Sequence, residues 1–133
     1  MESRFVCVWI VILILISACN PLLGIQAENR ILDEYNSYTA EEKQIVQQHN
    51  RILDQISNSL GNEVEYKINL ESYLSFVQGA KPTLEEFYRF ILQHAEVINS
   101  NGANAEYIAR NTQNIIDTMD INAGEFRAWL AGH

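Results

Sequence analysis

"NEVEYKINLESYLSFVQGAKPTLEEFYRFILQHAEVINS", residues 62–100, alternates helix starts with apolar stripes, and the fold follows from how it is read. Asn62 stands three residues before Glu65, and Thr83 three before Glu86. At that spacing an N-cap side chain and a glutamate can each satisfy a backbone N–H of the other. Behind these caps, Tyr66, Leu70, Tyr73, Leu74 and Val77, then Leu84, Phe87, Tyr88, Ile91, Ala95 and Ile98, recur at the three-four interval of one helix face. Gly79-Ala80-Lys81-Pro82 and Asn99-Ser100-Asn101-Gly102 are stop chemistry. The stretch predicts two helices, 63–78 and 84–98, joined by a short connection.

The same signals extend outward. Thr39 precedes Glu42 and Asn122 precedes Glu125 at the capping spacing, while Asn104 has Glu106 in its first turn, where the helix dipole favours an anion. These starts, with stripes at Ile45, Ile52, Leu53, Ile56 and Leu60 and at Ile108, Ile115 and Met119, predict helices over 40–60, 104–119 and 123–131, and a further one over 28–37. No run alternates as a strand would. The expected architecture is all-α, a compact antiparallel bundle of four or five helices with a short C-terminal helix. Asn29-Arg30-Ile31-Leu32-Asp33 recurs as Asn50-Arg51-Ile52-Leu53-Asp54, three heptads on. A coiled-coil seam would also want apolar residues at Glu42 and His49, so the echo reads as chance or local duplication.

Ahead of the bundle, Met1-Glu2-Ser3-Arg4 is followed by an almost purely apolar run, Phe5 to Ile16, and then by small and polar residues. That order is the architecture of a secretory signal peptide, and the run is short of the roughly 20 residues a permanent span needs. Within Leu15-Ile16-Ser17-Ala18-Cys19-Asn20, the aliphatic residue, two small residues and cysteine resemble the lipobox of bacterial lipoproteins. The resemblance implies cleavage before Cys19, transfer of diacylglycerol to its thiol, and a membrane tether made by at least two palmitate-type chains, as stable anchoring requires. Asn20 beside the cysteine resembles the signal that sorts such proteins to the outer membrane of a host with two membranes. Two other fates stay open: cleavage after Ala27 would discard Cys19 and give a secreted protein, and no cleavage would leave a short anchor. The expected division is 1–18 signal, 19–38 lipidated terminus and partly helical tether, and 39–133 bundle.

The formal charge of −8 argues against a nucleic-acid partner, whose footprint is a basic patch, and against adhesion to anionic lipid. Both cysteines, Cys7 and Cys19, lie in the leader or at its exit, so the bundle has no disulfide, thiolate zinc site or cysteine nucleophile. His49 and His94 follow Val46 and Ile91 at three residues, not the glutamates of a di-metal bundle, and read as core or rim residues, as does the terminal His133. Glu41, Glu42 and Glu86 are assigned to helix N-termini and Glu85 to an i,i+4 pair with Arg89. No nucleophile elbow, zincin motif, phosphate loop or haem attachment is present. No cofactor, metal or enzymatic activity is expected.

What remains is binding. Six tyrosines, at 35, 38, 66, 73, 88 and 107, offer rings with a wet hydroxyl. Phe126, Trp129 and Leu130 give the tail an amphipathic face that either docks on its own bundle or meets a partner. The leading expectation is a lipid-anchored envelope protein that binds another protein as assembly accessory, adaptor or exclusion factor. The alternative is an extracytoplasmic module for a small apolar or aromatic ligand.

Overall fold

The computed structural model describes the backbone from Glu2 to His133 and the side chains from Gly24 onward. Its elements are α1 (Glu2–Asn58), α2 (Glu63–Gln93), α3 (Ala95–Ser100) and α4 (Ala105–Ala131). Among the described residues there is no strand, and no helix is long and apolar enough to cross a membrane. The chain divides into two compact units, Met1–Glu34 and Tyr35–His133. The first is the leading part of α1, whose described side chains from Gly24 to Arg30 are exposed. The second is the bundle, and it begins at Tyr35 rather than at 39 because Tyr35 and Tyr38 pack their rings on Phe87 of α2, at centroid distances of 6.1 and 5.3 Å.

All-α packing is as expected, but fewer and longer helices deliver it. Residues 63–78 and 84–98 are largely one helix, as α2 runs straight through Gly79 and Pro82. Both breakers lie on the exposed side, whereas Val77, Ala80, Leu84 and Phe87 carry the buried stripe across them without interruption. Burial of that stripe outweighs the local cost of Gly and Pro, about 1 and 3 kcal/mol in a helix interior. Likewise 104–119 and 123–131 are one helix, α4, and the tail is its last two turns rather than a separate element. The stretches 28–37 and 40–60 both belong to α1 up to Asn58.

Only two of the sequence-assigned caps act as caps. Asn62 Oδ1 accepts from the Glu65 N–H at 3.1 Å, and Asn104 Oδ1 from the Tyr107 N–H at 3.1 Å. Thr39 instead donates back to the Tyr35 carbonyl at 2.9 Å, the mid-helix habit of a threonine hydroxyl, and Asn122 reaches across to Tyr73. The stop at Asn99–Gly102 is real: Asn99 Oδ1 accepts from the Ala105 N–H at 2.8 Å, and Gly102 takes φ 88°, a left-handed backbone that favours glycine.

The three long helices run up, down and up. Tyr66 meets Trp129, Tyr73 meets Phe126 and Lys81 meets Asp120, so α2 and α4 are antiparallel. Tyr38 against Phe87, His49 against Tyr73 and Ser59 against Asn69 set α1 antiparallel to α2. Each presents inward a stripe with strict three-four spacing. In α1 it is Tyr35, Tyr38, Glu42, Ile45, His49, Ile52 and Ile56, continued by Ser59 just beyond its end, in α2 Tyr66 to Ile91, and in α4 Ala105, Ala109, Thr112, Ile116, Met119, Ala123, Phe126 and Leu130. The seam that the sequence denied therefore exists, with Glu42 and His49 standing in it as polar members. The α2 and α4 backbones come closest, as buried Ala80, Ala105, Ala109 and Ala123 allow.

Candidate functional site

Two features of the bundle bear on function: the polar seam positions and an open groove. Glu42 is not an N-terminal residue but lies mid-helix, half-buried, with the fully buried Thr112 hydroxyl donating to its Oε2. Burial pushes its pKa above the ordinary 4.5, partly offset by that bond. Its contribution to stability is thus complete below pH 4.5 and is lost as pH rises through the raised folded value. Glu42→Gln keeps an acceptor for Thr112 without the charge. We expect it to raise stability by on the order of 0.5 kcal/mol at pH 7 and to have no effect at pH 3.5, in denaturant melts at the two pH values. A loss at pH 7 would show that the carboxylate is welcome there.

Two turns on, His49 Nε2 and the Tyr73 hydroxyl share a 2.7 Å hydrogen bond, and Asn122 Nδ2 donates to the same hydroxyl at 3.2 Å. Burial lowers the His49 pKa from 6.5, with Asn50 partly offsetting it, so the ring is neutral at pH 7. Tyr73 then donates to Nε2 while accepting from Asn122, and one hydroxyl ties α1, α2 and α4 together. Stability from His49 is complete above pH 6.5 and is lost as pH falls through its lowered folded value. Ser59 closes the series, accepting from Asn69 Nδ2 at 3.1 Å. Among the described residues no buried side-chain N or O lacks a hydrogen-bond partner. These groups are matched to each other, the arrangement that fixes which residues face across a bundle.

The groove lies where α2, α3 and the start of α4 meet, a cavity of about 430 Å³ open to solvent. Its floor is Ile91, Ala95, Ala105 and Ala109, with Tyr88 and Leu92 as walls, and it exists because three alanines stand where the chain turns over Asn99–Gly102. Leu92 is 57 % exposed. The rim is polar, with Asn99, Gln113, Asn114 and the pair Glu106–Arg110, whose guanidinium donates at 3.0 Å. An apolar floor with a few polar groups at the edge, in this size range, is the usual form of a binding cleft. A larger trough beside Lys81 is charged and bridged by the 2.7 Å Lys81–Asp120 ion pair, with Glu85 at 3.9 Å from Lys81 rather than paired to Arg89.

Of the residues singled out from the sequence, Cys19 and the leader 1–18 lie outside the described side chains. Phe126, Trp129 and Leu130 are half-buried against the core cluster, with Phe126 edge-on to Tyr73 at 4.9 Å and Trp129 edge-on to Tyr66 at 4.8 Å. Trp129→Ala should cost about 1.5 kcal/mol, half of a full aromatic truncation, read as a lower cooperative melting temperature. An unchanged melt would detach the tail from the core. His94 packs on Phe90 at 4.6 Å. Of the six tyrosines only Tyr73 is buried; Tyr35, Tyr38 and Tyr66 are half-buried in ring contacts, Tyr88 lines the groove and Tyr107 is exposed. Among the described residues no cluster of three or more His, Cys, Asp or Glu is placed to hold a metal ion. The groove itself was not foreseen: its alanines carry no chemical signal, and only their grouping around the Asn99–Gly102 turn hinted at an unfilled corner. The chain matches no known protein family, curated protein or solved structure.

Proposed function

We propose that the protein is a lipid-tethered component of the bacterial cell envelope whose bundle binds another protein through the groove between α2, α3 and α4. The observation that carries the reading is a groove that opens to solvent over the buried Ile91, Ala105 and Ala109, with the exposed Leu92 at its edge. Together with the lipobox-like Ile16-Ser17-Ala18-Cys19, it supports a tethered adaptor, accessory or exclusion factor rather than an enzyme. An apolar helix face of a partner fits such a groove, as in other helix-in-groove pairs. In a host with two membranes, Asn20 supports the outer one as the site of attachment.

Two experiments test the parts separately. Cys19→Ser should move the protein from the membrane to the soluble fraction and remove acyl chains from its intact mass; continued membrane retention would overturn the tether. A photo-crosslinking residue placed at Leu92 in cells should capture a defined envelope protein, and Leu92→Glu should weaken its recovery about tenfold with an unchanged melting curve. Equal recovery with and without Leu92→Glu would overturn the groove. The size of the cavity also admits a small apolar ligand, which native mass spectrometry of the protein would reveal as a retained molecule.

A further inference from the structure

At the other end of the bundle, where α1 and α4 finish, lies a further cavity of about 400 Å³ that shares no residue with the groove, with Leu60, Glu63, Tyr66, Trp129 and His133 in its wall. Tyr66 and Trp129 meet in a corner, their planes 82° apart and their centroids 4.8 Å apart. His133 lies flat on one face of the indole, 3.9 Å away at 8°. Glu63 enters none of the ion pairs formed among the described residues. Neither α1 nor α4 has a basic residue in its last turn, which leaves the negative ends of both helix dipoles uncompensated by their own side chains. Lys67 answers that potential, donating to the His133 carbonyl at 3.3 Å. Leu60, 71 % exposed, adds an apolar lip.

Aromatic faces, one carboxylate and an apolar lip suit a cation whose charge is covered by methyl groups. A metal ion would need several oxygen ligands, and an ordinary ammonium would need more acceptors than Glu63 supplies. We propose that this pocket binds a quaternary ammonium head group of the choline type, held by Tyr66 and Trp129 and neutralised by Glu63. The site is independent of the proposed function, and its test reads neither the tether nor the groove.

The chain has two tryptophans, Trp9 and Trp129, so protein carrying Trp9→Phe, in non-ionic detergent, reports on Trp129 alone whether or not residues 1–18 are removed. Choline is titrated at constant ionic strength, beside 3,3-dimethylbutan-1-ol, its neutral carbon analogue. The expected result is a saturable change in Trp129 emission, half complete at roughly 1–10 mM choline. Glu63→Gln and Tyr66→Leu should each raise that midpoint about 2- to 5-fold, the size of one exposed cation–π or ionic contact. Glu63→Gln changes only an exposed side chain and keeps the test valid should Tyr66→Leu unfold the bundle. A linear response to choline, an equal response to the neutral alcohol, or a midpoint unmoved by Glu63→Gln would overturn the proposal.

Discussion

Tyr73→Phe should destabilise the bundle by about 2–3 kcal/mol, far more than the loss of one oxygen atom from a surface tyrosine. Tyr73 has no exposed surface, and its hydroxyl is the shared partner of His49 and Asn122. Without it, the buried imidazole Nε2 is left without its partner beside Phe76, and the Asn122 amide loses its acceptor. The penalty for stranded buried polar groups, not the worth of the bonds themselves, sets the magnitude. Adding His49→Leu to Tyr73→Phe should therefore cost less than the sum of the two single changes, by at least about 1 kcal/mol, because it removes both ends of the bond together. Additive losses in denaturant unfolding would show that the hydroxyl acts by shape alone.

Pro82→Ala should act in the opposite direction, stabilising the bundle by about 2 kcal/mol. A proline inside a helix costs about 3 kcal/mol relative to alanine, through the missing N–H and the clash with the carbonyl four residues back. Part of that is offset because proline also stiffens the unfolded chain, worth up to about 1 kcal/mol. Pro82 is exposed and α2 continues on both sides of it, so alanine meets no packing conflict and restores the bond to the Gln78 carbonyl. For a domain of this size the gain corresponds to roughly 8–16 °C in melting temperature. A lower melting temperature would mean that the bundle needs a bend at this point which only the proline supplies.

The class of the fold was legible because burial patterns at three and four residues are repeated in every long segment. Its segmentation was not. Gly79, Pro82 and Asn122 are local signals, worth one to a few kcal/mol, while the stripes through Val77, Ala80 and Leu84 and through Met119, Ala123 and Phe126 draw on the whole core. Thr39 and Asn122 look like caps only when no partner is in view; the Tyr35 carbonyl and the Tyr73 hydroxyl take them instead. Glu42 and His49 count against a seam for a related reason: an apolar-only template rejects one whose polar members are answered from other helices, although the core or rim position read for His49 is the one it takes. Tyr66 and Trp129 were visible as aromatics, but their meeting depends on α2 and α4 lying antiparallel, which no single stretch encodes.

The polar positions of α1 have a consequence for how copies of this protein tolerate one another. A helix with unbroken three-four spacing is a ready template for pairing with itself, and chains confined to a surface meet at high effective concentration. Laid side by side and in parallel, two such helices would bring Glu42 against Glu42 and His49 against His49, away from Thr112 and Tyr73. Within its own bundle each group is answered. On the tethered reading, crowding would therefore not draw α1 out of its own bundle into a parallel pair with the α1 of a neighbour.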